Sequence, residues 1–268
     1  MSTTEHSRLN AQHVSLAYGE HLVAEDLSVE FPDGKITVIV GPNACGKSTA
    51  LRAMARLLKP TRGSVFLDGK SISERPSKEV AQILGLLPQS PIAPDSLTVR
   101  DLVGRGRHPH QSWWRQRGEG DADAIERALT ATHMTALADR NVDELSGGQR
   151  QRAWIAMAVA QETDILLLDE PTTYLDIAHQ LDVLELVADL NRTYGRTIVM
   201  VLHDLNLAIR YADHIIALRD GRKIVEGSPA QVVTPDFLRE VFSVEGQVMT
   251  DPQTGAPIVL PYKTLPVR

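Results

Sequence analysis

The strongest constraint on the fold of this chain is the segment Gly41 to Thr49, which reads Gly-Pro-Asn-Ala-Cys-Gly-Lys-Ser-Thr. It fits the pattern G-x-x-x-x-G-K-[ST], follows the β-branched run Lys35 to Val40, and precedes a helix-forming stretch from Lys47 to Leu58. A strand, a glycine-rich loop and a helix in this order predict a phosphate-binding loop. Backbone N–H groups of such a loop can surround phosphates, while Lys47 adds a positive charge and the Ser48 hydroxyl can bind Mg²⁺. The alternative is a chance glycine turn.

Composition narrows the class of protein further. The chain has 268 residues, of which 43% are hydrophobic and 4% aromatic, and its formal charge is −6. An acidic balance argues against broad electrostatic binding of nucleic acid, so no nucleic-acid partner is expected. Cys45 is the single cysteine, which excludes an intrachain disulfide and a zinc site built on cysteine pairs.

The apolar runs are far shorter than the ~20 residues of a membrane-spanning helix, and the polar N-terminus predicts a cytoplasmic chain.

Short apolar runs alternate with helical stretches along most of the chain. Such runs lie at 83–87, 165–168, 197–202 and 214–218, and a helical stretch such as 176–191 separates two of them. This alternation predicts a parallel sheet covered on both faces.

The remaining segments have different patterns. Two strand-like stretches, 13–17 and 22–31, flank a Tyr18-Gly19 turn and predict an antiparallel opening. Between 88 and 143 no strand run occurs and 121–138 has helical character, which predicts an inserted helical subdomain. After Gly227, a short helix near 237–241 and weak strands at 244–249 and 258–260 carry no recognisable chemistry.

A second chemical feature is the run Ile165 to Leu168, which delivers Asp169 and Glu170 to its C-terminal end. Ligands of open α/β sheets bind at that end of the strands. Asp169 is predicted to hold the Mg²⁺ shell, and Glu170 to act as the general base or to orient the attacking water at the γ-phosphate.

A third feature is Leu145-Ser146-Gly147-Gly148-Gln149, which precedes the helical run 153–160. Two glycines before a helix create a second anion-ready helix N-terminus. Because one chain needs only one γ-phosphate site, this segment is expected to serve a nucleotide held by a neighbouring subunit. An ordinary helix cap made by Ser146 is the alternative.

Together, Gly41 to Thr49, Leu145 to Gln149 and Ile165 to Glu170 resemble the nucleotide-binding subunit of an ATP-binding cassette (ABC) transporter, in order and spacing along nearly the whole chain. The resemblance implies an α/β fold: a P-loop NTPase (RecA-like) core with an antiparallel β subdomain and an inserted α-helical subdomain. It implies one ATP-binding domain over 1–268, with the core at 9–88 and 160–227, the helical subdomain at 89–159 and a C-terminal extension at 228–268.

The resemblance also assigns roles to single residues, with ATP and Mg²⁺ as cofactors. Tyr18 would stack on adenine, Gln89 would sense Mg²⁺ and the membrane partner, Asp176 would lie in a dimer-contacting loop, and His203 would be a catalytic switch histidine. Lys47 and Glu170 would be catalytic, and Ser48, Gln89 and Asp169 would bind the metal. The nucleotide contacts would also include Gly41, Pro42, Asn43, Ala44, Cys45, Gly46, Ser48, Thr49, Ser146, Gly147, Gly148 and Gln149. Many cassettes have glycine where this chain has Ala44. Surface packing, a loop position or a helix cap are the plain alternatives for Tyr18, Gln89 and His203.

Within that family, the stretch Pro171 to Gln180 resembles the ATPases of ferric siderophore importers, as do Gly104 to His110 and His203 to Ala208. The implied partners are transmembrane permease subunits, a second copy of the chain in a head-to-tail homodimer, and indirectly a periplasmic or extracellular siderophore-binding protein. The implied location is peripheral, on the cytoplasmic face of the inner membrane. The alternatives are a haem or cobalamin importer ATPase, or a soluble non-transport cassette such as a cluster-assembly protein.

One local patch departs from the acidic character of the chain. Arg105, Arg107, Arg115 and Arg117 flank Trp113-Trp114. Arginines and exposed aromatic residues favour interfaces, so contact with the membrane partner or with lipid headgroups is expected. The alternative is a solvated face with two partly buried tryptophans.

Overall fold

A computed structural model describes residues 7–91, 94, 96–111 and 119–266. The chain divides into two compact units. The terminal unit comprises Met1–Arg75 and Thr197–Arg268, and the middle unit comprises Pro76–Arg196. Among the described residues, no helix combines the length and the apolar character needed to cross a membrane.

The terminal unit contains an antiparallel sheet, a mostly parallel sheet and a C-terminal hairpin. The antiparallel sheet has the order β2-β1-β4-β5, formed by β1 (Leu9–Tyr18), β2 (His21–Phe31), β4 (Arg62–Leu67) and β5 (Lys70–Ser71). In the other sheet β3 (Ile36–Val40) pairs in parallel with β8 (Thr197–Val201) and β9 (His214–Arg219), and β10 (Arg222–Gly227) adds antiparallel to β9. The hairpin consists of β11 (Val244–Thr250) and β12 (Pro257–Thr264).

The described residues of this unit also form four helices: α1 (Lys47–Met54), α7 (Leu205–Tyr211), α8 (Pro229–Val232) and α9 (Pro235–Phe242). All five residues of β3 and of β8 are buried, which is the burial expected of parallel strands. Their apolar runs therefore form the core beneath the loop at 41–46.

The middle unit is mainly helical. It contains α2 (Ser77–Ile83), α3 (Val99–Arg105), α4 (Glu119–Ala131), α5 (Gly147–Ala160) and α6 (Ile177–Tyr194), together with the parallel pair β6 (Leu84–Leu87) and β7 (Ile165–Asp169). Short 3-10 turns lie at Ile72–Glu74 in the terminal unit and at His108–His110, Thr135–Leu137 and Val142–Glu144 in the middle unit. Every residue of β7 is buried, as its Ile-Leu-Leu-Leu sequence predicts.

Two helices end earlier than their sequences predict. The helix expected over 47–58 ends at Met54, because Arg56 adopts a left-handed φ of 61° and the chain turns towards β4. The helix expected over 121–138 ends at Ala131, where His133 has a φ of 56° and a 3-10 turn follows. Sequence patterns also missed β4, β5, β10, α2, α3 and α7, whose apolar periodicity is weak because they are short or lie at sheet edges.

Candidate active site

The loop after β3 has the geometry of a phosphate cradle. Gly46 is the N-cap of α1 with a φ of 99°, a conformation that residues with a side chain rarely adopt. The Lys47 ammonium group turns back into the loop and donates to the carbonyl oxygens of Gly41 at 2.9 Å and Pro42 at 2.7 Å. Lys47 is 5% exposed. The positive charge of Lys47 thus lies at the N-terminus of α1, the positive end of the helix dipole.

The position where many cassettes have glycine is strained in this chain. Ala44 has a φ of 61°, in the left-handed region. The loop therefore keeps the backbone conformation that glycine would adopt most easily, and the alanine Cβ points into open surroundings because the residue is exposed.

Cys45, next in the loop, is 5% exposed. Burial raises the pKa of its thiol, and the nearby Lys47 charge offsets only part of this effect. The thiol is therefore a packed, protonated group at neutral pH.

The loop shares a cavity with the predicted switch histidine. A cavity of about 480 Å³ is lined by Gly41, Pro42, Asn43, His203 and Phe242. His203 lies between β8 and Asp204, the N-cap of α7, and is exposed. Phe242 is the last residue of α9 in the C-terminal extension. No motif or periodicity near Phe242 predicts that it lines this cavity, whereas the other four lining residues are predicted site residues.

Tyr18 ends β1, as expected of a residue near a turn, and its side chain is 45% exposed. Its hydroxyl accepts a hydrogen bond of 3.3 Å from Arg52 of α1. The ring is thus tethered to the helix that begins in the phosphate loop, with a face available for stacking.

In the middle unit, the end of β7 brings together two predicted residues. Asp169 is 2% exposed and Glu170 8% exposed. The Gln89 amide donates to Oε2 of Glu170, and the Thr173 hydroxyl donates to the same oxygen at 3.0 Å. Glu170 also has a left-handed φ of 54°, a conformation that is strained for a residue with a side chain.

The glycine-rich segment before α5 forms a complete capping box. The Ser146 hydroxyl accepts from the Gln149 amide at 3.3 Å, and the Gln149 side chain accepts from the Ser146 amide at 3.2 Å. Ser146 therefore makes the ordinary helix cap that is the alternative interpretation of this segment. It engages the third amide of the helix and leaves the first two, those of Gly147 and Gly148, outside the cap.

Asp176 caps α6 and is held by one neighbour. Its Oδ1 accepts from the backbone amide of His179 at 2.9 Å and from Nδ1 of the same histidine at 2.7 Å. These two hydrogen bonds lower the pKa of the Asp176 carboxyl, which is 68% exposed. The carboxylate is therefore ionised and accessible at neutral pH.

The prediction that Arg107 belongs to an exposed basic patch is wrong. That residue is 7% exposed, and its guanidinium donates to Asp121 at 2.9 Å, to Glu162 at 2.7 Å and to the carbonyl oxygen of Ala160. It is an internal ion-pair centre and cannot contact a membrane partner. Trp113, Trp114, Arg115 and Arg117 lie outside the described residues.

Comparison with known proteins identifies the family of the chain. A family model described as ABC transporter matches residues 24–173, which is more than half of the chain. The chain belongs to the ABC transporter family. The solved dimer of a bacterial ABC transporter cassette superposes with a TM-score of 0.72 at 29% identity, covering 82% of this chain and 98% of that one.

Curated relatives of this ABC cassette extend over almost its entire length. The Probable siderophore transport system ATP-binding protein YusV of Bacillus subtilis (strain 168) is 54% identical over 256 residues, covering 96% of this chain and 93% of the relative. The ferric enterobactin transport ATP-binding protein FepC of Escherichia coli (strain K12) is 51% identical over 255 residues, covering 95% and 94%.

These findings confirm the predicted fold class, a P-loop NTPase α/β fold. They also establish an ATP-binding cassette whose family implies permease partners and a dimeric assembly.

Proposed function

We propose that this ABC cassette is the ATP-hydrolysing subunit of an importer for ferric siderophores, bound peripherally to the cytoplasmic face of the inner membrane. The observation that carries the hydrolytic part is Glu170, a buried carboxylate at the end of β7 whose Oε2 accepts from Gln89 and Thr173. The cargo is inferred from relatives named for siderophore and ferric enterobactin transport.

Each unit supplies its own part of the chemistry. In the terminal unit, backbone N–H groups of the loop from Asn43 to Thr49 and the Lys47 charge bind the β- and γ-phosphates, and Tyr18 stacks on the adenine. His203 donates to charge that develops in the transition state. In the middle unit, Glu170 takes up the proton of the attacking water or orients that water for in-line attack.

Mg²⁺ is proposed as the second cofactor. Within the described ranges no cluster of three or more His, Cys, Asp or Glu side chains could cage a metal. Mg²⁺ in nucleotide sites is bound through substrate phosphates, waters and one or two carboxylates. Asp169, a buried carboxylate at the end of β7, has the chemistry that such an ion requires. The Ser48 hydroxyl, the Asp169 carboxylate and the Gln89 side-chain oxygen are the hard oxygen donors that we assign to it. The bound ion would neutralise charge on the phosphates.

A second copy of the chain completes the proposal. Ser146, Gly147, Gly148 and Gln149 would present helix amides to the γ-phosphate held by the other copy, with Asp176 beside them, in a head-to-tail homodimer. ATP binds the closed dimer more tightly than the open one, so binding drives closure and hydrolysis releases it. Segments of the permease dock near Gln89, so closure of the dimer moves the permease. On the periplasmic or extracellular side of the membrane, a siderophore-binding protein delivers the cargo to the permease.

The test is uptake of radiolabelled ferric siderophores by iron-starved cells in which Lys47→Ala replaces the wild-type chain. Haem and cobalamin uptake are measured alongside, and Lys59→Ala, an exposed lysine, is the matched control. We expect siderophore uptake to fall selectively with Lys47→Ala and to persist with Lys59→Ala. Persistence of uptake of all three cargoes, with purified wild-type protein hydrolysing ATP, would contradict the cargo assignment and direct the search to soluble partners.

A further inference from the structure

His179, in the first turn of α6, contacts two segments of the middle unit at once. Its ring nitrogen Nδ1 lies 2.7 Å from Oδ1 of Asp176. The backbone amide of His179 donates to the same oxygen at 2.9 Å. Asp176 is the N-cap of α6, so His179 is hydrogen-bonded to the last residue of the loop that precedes its own helix.

The same imidazole lies against the N-terminus of α5. A Cβ placed on Gly148 would be 2.1 Å from Cδ2 of His179 and 2.7 Å from its Cγ, so the ring occupies the space of a side chain there. A Cβ on Gly147 would lie 3.6 Å from Cδ2 of Leu175. The His179 ring therefore packs directly on Gly148, and the Leu175 side chain lies beside Gly147.

A helix cap alone does not account for this arrangement. The bond from the backbone amide of His179 to Asp176 already satisfies the cap of α6, and any residue at position 179 could make it. The ring adds a second donor to the same oxygen and a contact with another helix. The Asp176 side chain nevertheless stays 68% exposed, so its carboxylate remains accessible to a second molecule.

We propose that His179 is a positioning residue that fixes the distance and orientation between the 145–149 segment and Asp176. Both segments then meet a second copy as one rigid element. This inference rests on the proposed function, because it assigns both segments to the surface that receives the other copy's nucleotide. A shift of about 1 Å at such a surface can cost on the order of 100-fold in rate.

Three substitutions separate the two contacts of the ring. His179→Asn keeps an N–H group near the position of Nδ1 but loses the ring over Gly148. His179→Phe keeps a ring over Gly148 but loses the donor to Asp176. His179→Ala loses both. His133→Asn is the matched control, because His133 is an exposed histidine of the middle unit whose φ of 56° asparagine tolerates.

The experiment measures kcat and KM for ATP hydrolysis by the full chain, together with the affinity of a fluorescent ATP analogue and the melting temperature. We expect His179→Ala to lower kcat about tenfold, with analogue affinity within twofold of wild type and an unchanged melting temperature. His179→Asn and His179→Phe should each recover part of kcat. In the Glu170→Gln background, His179→Ala should weaken ATP-dependent dimerisation, seen by light scattering after size exclusion.

The outcomes distinguish this inference from the function on which it rests. Wild-type protein that does not hydrolyse ATP would contradict the proposed function. Active wild-type protein together with a kcat of His179→Ala within twofold would overturn the positioning role alone. The role is also overturned if kcat and melting temperature fall together and neither His179→Asn nor His179→Phe restores any activity.

Discussion

Gln89 and Glu170 are joined by a hydrogen bond between the glutamine amide and Oε2 of the carboxylate, although 81 positions separate them in the chain. The Thr173 hydroxyl donates to the same oxygen. Two donors on one oxygen fix the direction of the carboxylate. Gln89, which in our proposal senses Mg²⁺ and the membrane partner, thus holds Glu170, which activates the attacking water.

Glu170→Gln should abolish hydrolysis while preserving ATP binding. A carboxamide has nearly the shape of the carboxylate and keeps an oxygen that can accept from Gln89, but it cannot take up a proton. General-base catalysis is worth about 10²- to 10⁴-fold, so we expect kcat to fall by at least 100-fold and an ATP-bound dimer to accumulate. Phosphate release and light scattering report the two effects. Glu185→Gln, on the exposed face of α6, is the control, and wild-type hydrolysis by Glu170→Gln would remove Glu170 from its role.

Thr173→Val tests the second donor to Glu170. Valine keeps the shape of threonine but removes the hydroxyl that donates to Oε2 at 3.0 Å. The loss of one such hydrogen bond, about 1 kcal/mol, corresponds to roughly a fivefold fall in kcat with little change in KM. Steady-state kinetics measure both constants. A kcat equal to that of wild type would mean that Gln89 alone orients the carboxylate.

The phosphate loop was predictable because its requirements lie in contiguous residues. Gly46 must adopt a positive φ and Lys47 must follow it at a helix start, and both conditions are visible in the sequence. The buried strand before Asp169 was predictable for the same local reason. These features depend on neighbours along the chain, which a sequence displays directly.

Other features depend on contacts between distant residues and could not be predicted. A charged residue in a loop is expected to be exposed. Arg107 is buried because Asp121 and Glu162 reach it from 14 and 55 positions away. Phe242 lines the cavity beside Asn43 because α9 packs against β9 and β11, far from Asn43 in the sequence. No periodicity or motif in the sequence encodes either approach.

Ala44→Gly should stabilise the phosphate loop slightly without changing its chemistry. Removing the Cβ relieves the left-handed strain at φ 61°, about 1–2 kcal/mol, while glycine adds freedom to the unfolded chain worth about 0.4–1 kcal/mol. We expect the free energy of unfolding to rise by up to about 1.6 kcal/mol, with ATP affinity within twofold. Ala53→Gly is the contrasting control, since Ala53 is buried inside α1 and glycine there is destabilising. Equal destabilisation by both changes would contradict the strain argument.

Arg107→Met should strongly destabilise the chain. The guanidinium pairs with Asp121, and both side chains are 9% exposed, so the substitution removes a buried positive charge from a buried carboxylate. Breaking such a pair costs about 3–5 kcal/mol. Chemical denaturation measures the loss of stability, and the double substitution Arg107→Met with Asp121→Leu should recover part of it.

The control is Arg192→Met, which removes an exposed ion pair with Asp189 and should cost less than about 1 kcal/mol. A similar cost for both single changes would show that burial of Arg107 has no energetic consequence.

Cys45 should react slowly with alkylating reagents, and more slowly still in the presence of ATP. The thiolate is the reactive form, and burial raises the pKa of this thiol, so little thiolate exists at neutral pH. The residue is also 5% exposed within the loop. We expect the rate with iodoacetamide at pH 7.5 to be at least about tenfold below that of glutathione. The rate should keep rising with pH above the range in which an ordinary thiol ionises.

Intact-mass measurement of the labelling is unambiguous because the chain has one cysteine, and Cys45→Ser provides the unlabelled control. Rapid labelling at neutral pH, unaffected by ATP, would show instead that Cys45 is an accessible thiolate away from the bound nucleotide.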